Sequence, residues 1–387
     1  MSRSGVVLVG GAGAAGMAAA LAAARAGAEV VLVEESPRVG GTVADCLIHT
    51  IGGLFDDAGE LLNGGLPAEL ADALRRADPA TGKRRIGRAW VLDADPDVYR
   101  AVVTQWLTKA GVRVLCGARI VRATEANGRV VSATVNRAGE AHEFPARAVI
   151  DATGTAEVVR LLGGSLLQPG PTRMAGGLVL RLRGVTPGAL APPRGVAVVR
   201  ALRSAAADGR LPVECAHAWL DKGLRPDEVF LKLLVSTPAD WREREAELTR
   251  NALAAGGRVT DFLQGVAGFA GAAVFRVGRL GVREGGRGRG EYTLSGDDVR
   301  QGGRFPDAAC RCAWPVELWD ARSGVSLDYL PAGTWYEVPL RALKVAGIAN
   351  LWAAGKCLSA DAEAQASARI AGCCWAMGEA AGRAAAE

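Results

Sequence analysis

Residues 6–16 read Val-Val-Leu-Val-Gly-Gly-Ala-Gly-Ala-Ala-Gly, and this stretch decides the fold. It joins an apolar strand directly to a G-x-G-x-x-G turn made by Gly11, Gly13 and Gly16. In such a turn the first glycine allows the tight bend, the second lets a pyrophosphate approach the backbone, and the third lets the next helix pack closely on the strand. The helix N-terminus offers free N–H groups to the phosphates. The stretch therefore predicts a dinucleotide site.

The residues that follow complete a β-α-β unit. An Ala-rich helix is predicted over residues 17–26, and a second strand, residues 29–33, ends on Glu34. Glu34 stands eighteen residues beyond Gly16, where a carboxylate can accept hydrogen bonds from a ribose diol. A second glycine pair, Gly40-Gly41, follows and lets the backbone reach the far end of a long cofactor. This favours FAD over NAD.

Later segments are predicted to add strands to the same parallel sheet. Residues 148–154 form an apolar stretch ending on an acid and a glycine turn, and residues 350–357 form another that breaks at Gly355. Residues 372–382 read as a small-residue helix whose N-terminus is aimed at the flavin. Residues 112–150 read as a β-meander with turns at 127–128 and 138–139. Ligands of open α/β folds bind where strand ends gather.

These segments together resemble the FAD-dependent oxidoreductases whose FAD domain is built like that of glutathione reductase. They resemble more closely a group distantly related to the fumarate reductase and succinate dehydrogenase flavoproteins. At one position the chain departs from that group, because Trp319 stands where a histidine is common. The matching stretches are residues 10–16, 40–42, 151–154, 283–294, 314–320, 336–340 and 350–359, with Arg369 and the final helix.

The motifs and the resemblance together imply a set of cofactor-binding residues. By resemblance, Ile120 and Val121 contact the adenine through their backbone. The full predicted set is Gly11, Gly13, Ala14, Ala15, Gly16, Glu34, Glu35, Arg38, Gly40, Gly41, Thr42, Ile120, Val121, Ala152, Thr153, Gly154, Gly355, Lys356 and Cys374.

His49 and Arg369 are the candidate catalytic residues. His49 follows the Gly-Gly-Thr segment, so its chain should run toward the flavin ring. Three roles stay open for it: an acid–base group, a covalent FAD anchor like that of some relatives, or a packed histidine. By resemblance Arg369 faces the flavin and binds a substrate carboxylate, and the alternative is a helix-surface arginine. Further candidates are Tyr336 and Glu317, and Trp314, Trp319 and Trp335 are predicted as walls of an apolar pocket.

Composition and charge narrow the range of partners. The chain has 387 residues, of which 22% are charged and 49% hydrophobic, as in an ordinary globular protein. Arg-rich stretches at 84–85 and 283–289 lack interleaved aromatic residues, so we interpret them as solvated loops and expect no nucleic-acid partner. No apolar run is long enough for a membrane span, and we expect a cytoplasmic protein. The eight cysteines lack zinc-site spacing, so no metal site is predicted.

The expected fold class is α/β: a Rossmann-like FAD-binding domain with a parallel central sheet and β-meander, plus an inserted α+β substrate domain. Residues 1–164 and 331–387 are assigned to the FAD domain and residues 165–330 to the substrate or cap domain. The insert contains no second strand–glycine–helix unit for a nicotinamide cofactor, because residues 285–290 lack a preceding apolar strand. The flavin is therefore expected to be reduced by its substrate or by a transiently docked donor.

The predicted function is that of an FAD-dependent oxidoreductase, an oxidase or dehydrogenase acting on a small or medium organic substrate. It would abstract a hydride in a C–N or C–C dehydrogenation, with His49 taking the proton and oxygen or an external acceptor reoxidising the flavin. Two alternatives stay open at this point. One is a flavin monooxygenase that consumes NAD(P)H, and the other is a binding protein that keeps the FAD fold without redox chemistry.

Overall fold

The computed structural model describes residues 5–168 and 174–387. The strands are β1 Val6–Gly10, β2 Val30–Glu34, β3 Thr50–Gly52, β4 Gly82–Ile86, β5 Ala89–Asp93, β6 Arg113–Cys116, β7 Ala118–Ala126, β8 Arg129–Arg137, β9 Glu140–Asp151, β10 Gly176–Arg183, β11 Trp219–Lys222, β12 Val229–Val235, β13 Ala273–Val277, β14 Ala308–Cys312, β15 Val316–Asp320, β16 Gly324–Asp328, β17 Tyr336–Pro339 and β18 Leu351–Ala353. The α-helices are α1 Ala14–Arg25, α2 Gly41–Ala44, α3 Leu66–Ala77, α4 Pro96–Lys109, α5 Glu157–Leu162, α6 Arg194–Ala207, α7 Glu245–Gln264, α8 Gly296–Gln301, α9 Ala362–Ala368 and α10 Ala371–Ala386.

One hydrophobic core of the protein, which we call the first core, is built around a parallel sheet. Its strands run in the order β6-β2-β1-β9, and β18 pairs in parallel with β9. Gly10 at the end of β1 lies between Val33 of β2 and Asp151 of β9, and Ala353 pairs with Asp151. The carboxyl ends of these four strands therefore meet at one edge of the sheet, where α/β folds bind ligands. The predicted Rossmann-like α/β fold is confirmed.

The β-meander is also confirmed. Strands β7, β8 and β9 pair antiparallel in sequence order. The turns fall at the predicted positions: Asn127 and Gly128 have φ of 53° and 71°, and Ala138 and Gly139 have φ of 53° and 90°. Positive φ at both turn residues is typical of the two-residue hairpins that match the twist of the strands. The long strand β9 belongs to both sheets, so the meander is anchored to the parallel sheet.

Helices α1 and α10 pack in close contact beside the sheet. A Cβ atom on Gly378 would lie 2.1 Å from the carbonyl oxygen of Ala15, and one on Gly382 would lie 2.2 Å from that of Ala19. The two helix backbones therefore touch at these glycines, because no side chain separates them. Helix α1 begins at Ala14, three residues before the predicted start, with Gly13 as its N-cap.

A second core lies in the inserted region. Strands β11-β12-β10-β13 form an antiparallel sheet covered by α6 and α7, and buried residues between Leu178 and Leu280 pack together there. Residues such as Leu294, Cys312 and Val338 pack instead with the core of α1 and the parallel sheet. The substrate-domain core thus ends near residue 280. The boundary at 330 stays a prediction about domain division.

Buried ion pairs join the two cores. Arg181 of β10 donates to Asp95, which caps α4, at 2.7 Å and to Glu228 beside β12 at 2.9 Å. The side chains of Arg181 and Glu228 are almost fully buried. Because one arginine pairs with a carboxylate from each core, it fixes the inserted region against the first core. Among the described residues, no helix combines the length and apolar character needed to cross a bilayer.

Candidate active site

A cavity of about 750 Å³, which we call the cofactor cavity, opens at the carboxyl ends of β1, β2 and β9. Its walls come from the β1–α1 turn, the end of β2, the segments after β9 and β18, and the start of α10. Its volume is typical of pockets that enclose a whole ligand. The strand ends that the sequence motifs mark are thus gathered around one space.

The glycines of the first turn fit a bound pyrophosphate. Gly11 has φ of 91°, and a Cβ there would lie 2.5 Å from the carbonyl oxygen of Ala152. A Cβ on Gly16 would lie 1.8 Å from the carbonyl oxygen of Gly11. By contrast, a Cβ on Gly13 would meet no protein atom within 4 Å. The first and third glycines are therefore required by the protein's own packing, and the second keeps space open before the N-terminus of α1.

Glu34 is held in place by the backbone. Its Oε2 accepts a hydrogen bond of 2.6 Å from the N–H of Ala12, and its Oε1 accepts one of 2.8 Å from the N–H of Ser36. A carboxylate has about four lone-pair sites, so each oxygen keeps capacity for another donor. Glu34 lines the cofactor cavity. The arrangement suits hydrogen bonds from ribose hydroxyls.

Most of the predicted cofactor-binding residues come together here. Those that line the cofactor cavity are Gly11, Gly13, Ala14, Ala15, Glu34, Glu35, Gly41, Thr42, Ile120, Val121, Ala152, Thr153, Gly154, Gly355, Lys356 and Cys374. Three predicted residues lie outside the lining. Gly16 packs on Gly11, Gly40 faces Ala44, and the Arg38 side chain is exposed. Binding by each of these residues stays a prediction.

The far end of the cofactor cavity carries positive charge. Lys356 is half-buried there, its Nζ donates to the carbonyl oxygen of Val282 at 2.7 Å, and desolvation lowers its pKa. Helix α10 begins at Ala371, which lines the cavity, so the free N–H groups of this helix lie at the same end. Both features favour an anion or a ring that gains negative charge.

A second, smaller cavity of about 190 Å³ adjoins the first, and we call it the substrate cavity. It lies between the β3-β5-β4 sheet, the β15-β16 hairpin and the antiparallel sheet β11-β12-β10-β13, which we call the cap sheet. Its walls are mostly apolar, with aromatic rings from Trp219, Phe230, Trp314, Trp319 and Tyr329. The residues that line both cavities are Thr42, Val43, Cys46, Gly281, Val282, Lys356, Arg369 and Ala371. A molecule in the substrate cavity would therefore lie beside the far end of the cofactor cavity.

His49 lines the substrate cavity as a buried, neutral imidazole. Its ring stacks on Phe230 with centroids 3.8 Å apart, and its Nε2 lies 3.0 Å from the carbonyl oxygen of Lys222. Because a carbonyl only accepts hydrogen bonds, Nε2 carries the proton and Nδ1 keeps the lone pair. Burial lowers the pKa of His49 to about 4, although Asp221, 3.8 Å from Nε2, opposes this shift.

Arg369 and Glu317 lie together in the wall of the substrate cavity, and both are half-buried. Arg369 donates to the backbone carbonyl of Glu317 at 3.2 Å, and its buried Nε has no partner among the described residues. The Glu317 carboxylate accepts hydrogen bonds from the indole N–H groups of Trp314, at 2.5 Å, and Trp319. Burial alone would raise the pKa of Glu317, but Arg369 and the two indoles hold it below its usual value. The indole of Trp319 thus binds the carboxylate of Glu317.

Two cations of the substrate cavity were not predicted from the sequence as site residues. Lys232 lies on β12, and Arg283 follows the cap sheet; both are half-buried in the cavity wall. The solvated-loop interpretation is wrong for Arg283. It is also wrong for Arg84, which lies on β4 and pairs with Asp93 at 2.6 Å and Asp221 at 2.7 Å. The available signal for Lys232 was a single lysine inside the apolar run of residues 229–235.

Of the other residues predicted for the pocket, some line the substrate cavity and some do not. Trp314 and Trp319 line the substrate cavity as predicted, but Trp335 is not among its lining residues. Tyr336 is fully buried in the first core, where its hydroxyl lies 2.7 Å from that of Ser367. It is therefore a packing residue in this structure. Among the described residues, no group of His, Cys, Asp and Glu side chains has the arrangement of a metal site.

One solved structure shares the fold, and others are similar over part of it. A geranylgeranyl bacteriochlorophyll reductase-like protein from Thermoplasma acidophilum is similar at 14% identity over 99% of this chain and 77% of that chain, with a TM-score of 0.52. The anhydrotetracycline hydroxylase OxyS from Streptomyces rimosus is 17% identical over 85% of this chain and 58% of its own, with a TM-score of 0.46. A flavin-dependent brominase is 16% identical over 71% of this chain and 66% of its own, with a TM-score of 0.42.

Sequence comparison gives a family assignment. No protein of curated function matches the chain. The sequence pattern described as FAD dependent oxidoreductase matches residues 6–387. The match includes both glycine motifs, the cap and α10, and so covers every element that lines the two cavities.

Proposed function

This chain belongs to the family of FAD-dependent oxidoreductases, and we propose that it dehydrogenates a small organic substrate in the substrate cavity. The observation that carries the proposal is the shared wall of the two cavities, which includes Arg369 and Ala371. FAD, when bound, supplies the acceptor for the hydride and passes two electrons on to oxygen or another acceptor. The mostly apolar walls would limit the access of water to the reacting bond.

The substrate is held and oriented by charges in this cavity. Arg369 is half-buried and keeps one buried N–H group, at Nε, without a partner among the described residues. A planar guanidinium suits a carboxylate, so Arg369 is proposed to fix the acidic end of the substrate. The aromatic walls would contact the apolar part of the substrate. Orientation of this kind brings the bond that loses hydrogen to the side that faces the cofactor cavity.

His49 is proposed to take the proton that leaves with the hydride. Its Nδ1 has the lone pair, because Nε2–H donates to the Lys222 carbonyl. When Nδ1 gains a proton, the positive ring is stabilised by that carbonyl and by Asp221. The substrate loses one hydride and one proton, and a C–N or C–C single bond becomes a double bond. Covalent attachment of FAD to His49 is not needed for this role.

The test is anaerobic reduction of the bound flavin by substrate in a His49→Gln variant. General acid–base groups contribute about 10²- to 10⁴-fold, so the rate should fall within that range while flavin content stays unchanged. His142→Gln is the matched control, because His142 is largely exposed on the meander hairpin and lies outside both cavities. An unchanged rate in His49→Gln would remove the proton-transfer role. Substrate-dependent consumption of NAD(P)H would instead support a monooxygenase.

A further inference from the structure

We infer that Lys232 and Arg283 form an anion-binding subsite in the substrate cavity, and that the substrate carries a carboxylate on a small, flat, apolar body. The inference rests on the proposed function for the location of the substrate. It adds two residues on separate elements to that function. It also defines the chemical class of compound that the cavity accepts.

The two cations contact the same aromatic ring. The Nζ of Lys232 lies 5.2 Å from the ring centroid of Trp319, and the Cζ of Arg283 lies 4.5 Å from it. Cations are attracted to the face of an indole, which leaves their hydrogen-bond donors available for other partners. Trp319 is itself fixed, because its N–H donates to Glu317. The indole therefore positions both positive groups at one wall of the cavity.

Neither cation forms a close ion pair with the described residues around it, although Glu317 acts on both from beyond ion-pair distance. Arg283 donates to the backbone carbonyl of Ala175 and forms no ion pair with them, and Lys232 forms no hydrogen bond with them. Two carboxylates line the cavity, Asp221 and Glu317. Asp221 is bound by Arg84 at 2.7 Å.

The carboxylate of Glu317 also has hydrogen-bond partners already. Its oxygens accept from two indoles, and the cation with the largest effect on it is Arg369. The lining thus holds the cations Lys232, Arg283, Lys356 and Arg369 against two carboxylates with other partners.

Burial of this excess charge is costly. Burial and the nearby Arg283 lower the pKa of Lys232 to about 8, and burial and Arg369 lower the pKa of Arg283 to about 9. Glu317 partly offsets these shifts in both groups, but neither half-buried cation forms an ion pair with a described residue, and both are mainly charged at neutral pH. Such clusters in a cavity are typical of functional sites. A bound carboxylate would supply the missing negative charge, and the planar guanidinium matches its geometry.

The rest of the cavity sets the shape of the ligand. The space of about 190 Å³ is bounded by the rings of Trp219, Phe230 and Trp314 and by aliphatic side chains such as Val179 and Leu327. These walls favour a flat apolar group and offer few donors or acceptors for further polar substituents. The ligand is therefore anionic at one end and apolar over the remainder.

The test uses the FAD-loaded protein and equilibrium binding without turnover. Benzoate is the probe, benzamide is its neutral counterpart, and phenylphosphonate carries a larger anion. Binding is followed by quenching of tryptophan fluorescence and by the visible difference spectrum of the flavin. Wild-type protein should bind benzoate at least tenfold more tightly than benzamide. Equal binding of benzoate and benzamide, or tighter binding of phenylphosphonate, would overturn the inference.

Variants assign the effect to the two residues. Lys232→Met and Arg283→Met should each weaken benzoate binding about 10- to 100-fold, as expected for loss of a hydrogen bond to a charged group, and leave benzamide binding unchanged. Lys109→Met and Arg122→Met are controls, since both side chains are exposed outside the cavity. Unchanged benzoate binding in both cavity variants, with normal flavin content, would contradict the subsite.

A pH titration of wild-type protein gives an independent result if a variant fails to fold. The charged groups facing Lys232 are Arg283, Arg369, Glu317 and Asp221. Benzoate affinity should be constant from pH about 6, where the probe is fully ionised, to pH about 8 and fall above that, because Lys232 and then Arg283 lose their protons. Affinity that is flat to pH 10 would contradict the inference.

Failure of the subsite and failure of the proposed function give different results. Benzoate binding that depends on Lys232 and Arg283, without flavin reduction by any carboxylate, would refute the function alone. Flavin reduction by a carboxylate that is unaffected in both variants would refute the subsite alone.

Discussion

Substitution of Gly13 by alanine separates cofactor binding from folding. Gly13 has φ of −81° and ψ of −171°, which alanine adopts without strain, and a Cβ there meets no protein atom within 4 Å. The Gly13→Ala protein should therefore fold with a free energy of unfolding within about 0.5 kcal/mol of wild type. The new methyl group stands in the space kept for the pyrophosphate. Overpacking costs about 1–3 kcal/mol, which corresponds to a 5- to 150-fold weaker FAD affinity.

The assay is titration of the FAD-free protein with FAD, followed by quenching of flavin fluorescence. Gly257→Ala is the control, because Gly257 lies within α7 and a Cβ there also meets no atom within 4 Å. That variant should bind FAD normally and gain up to about 1 kcal/mol of stability from helix propensity. Gly13→Ala protein that binds FAD as tightly as wild type would refute the placement of the pyrophosphate. A Gly13→Ala protein that unfolds would contradict the free space around a Cβ at this position.

Three further predictions concern stability. Gly378→Ala should lower the melting temperature and the FAD affinity together, because its Cβ would lie 2.1 Å from the carbonyl oxygen of Ala15; unchanged values would contradict the contact between α1 and α10. Arg181→Met should cost about 3–5 kcal/mol in urea unfolding, because it leaves two buried carboxylates without their shared cation; a change under 1 kcal/mol would refute this. The buried His49 has a pKa of about 4 in the folded protein, so wild-type stability should fall by about 1.4 kcal/mol per pH unit from 6.5 down to 4 relative to His49→Gln. Parallel pH profiles of the two proteins would contradict that shift.

The sequence predicted the cofactor half of the molecule well. The turn at Gly11 and Gly16 has steric requirements that only glycine meets, so its pattern is visible in the chain itself. Strand β1 and the last part of β9, residues 148–150, are continuous apolar runs, and such runs are typical of a parallel sheet buried on both faces. Local steric and packing constraints of this kind appear in the sequence as glycines and apolar residues at characteristic spacings. The Rossmann-like fold, the meander and FAD followed from them.

The substrate half could not be predicted to the same depth. Lys232, Arg283 and Glu317 lie on separate elements, and the cap sheet and the β15-β16 hairpin bring them together. No short sequence motif indicates that these three residues lie close together. A stretch rich in glycine and arginine has the composition of a loop, whether or not one of its arginines points into a cavity. Arg84 shows the same effect, because its partner Asp221 is 137 residues away. Charge pairs between distant segments depend on tertiary packing.

The most direct measurement mixes the FAD-loaded protein, without oxygen, with a panel of small apolar amino acids and saturated carboxylates, and separately with NADPH. The visible absorbance of the flavin reports its reduction. The proposed dehydrogenation predicts that at least one carboxylate bleaches the flavin without any nicotinamide cofactor and that NADPH alone does not. Rapid reduction by NADPH, with no reduction by any member of the panel, would contradict it.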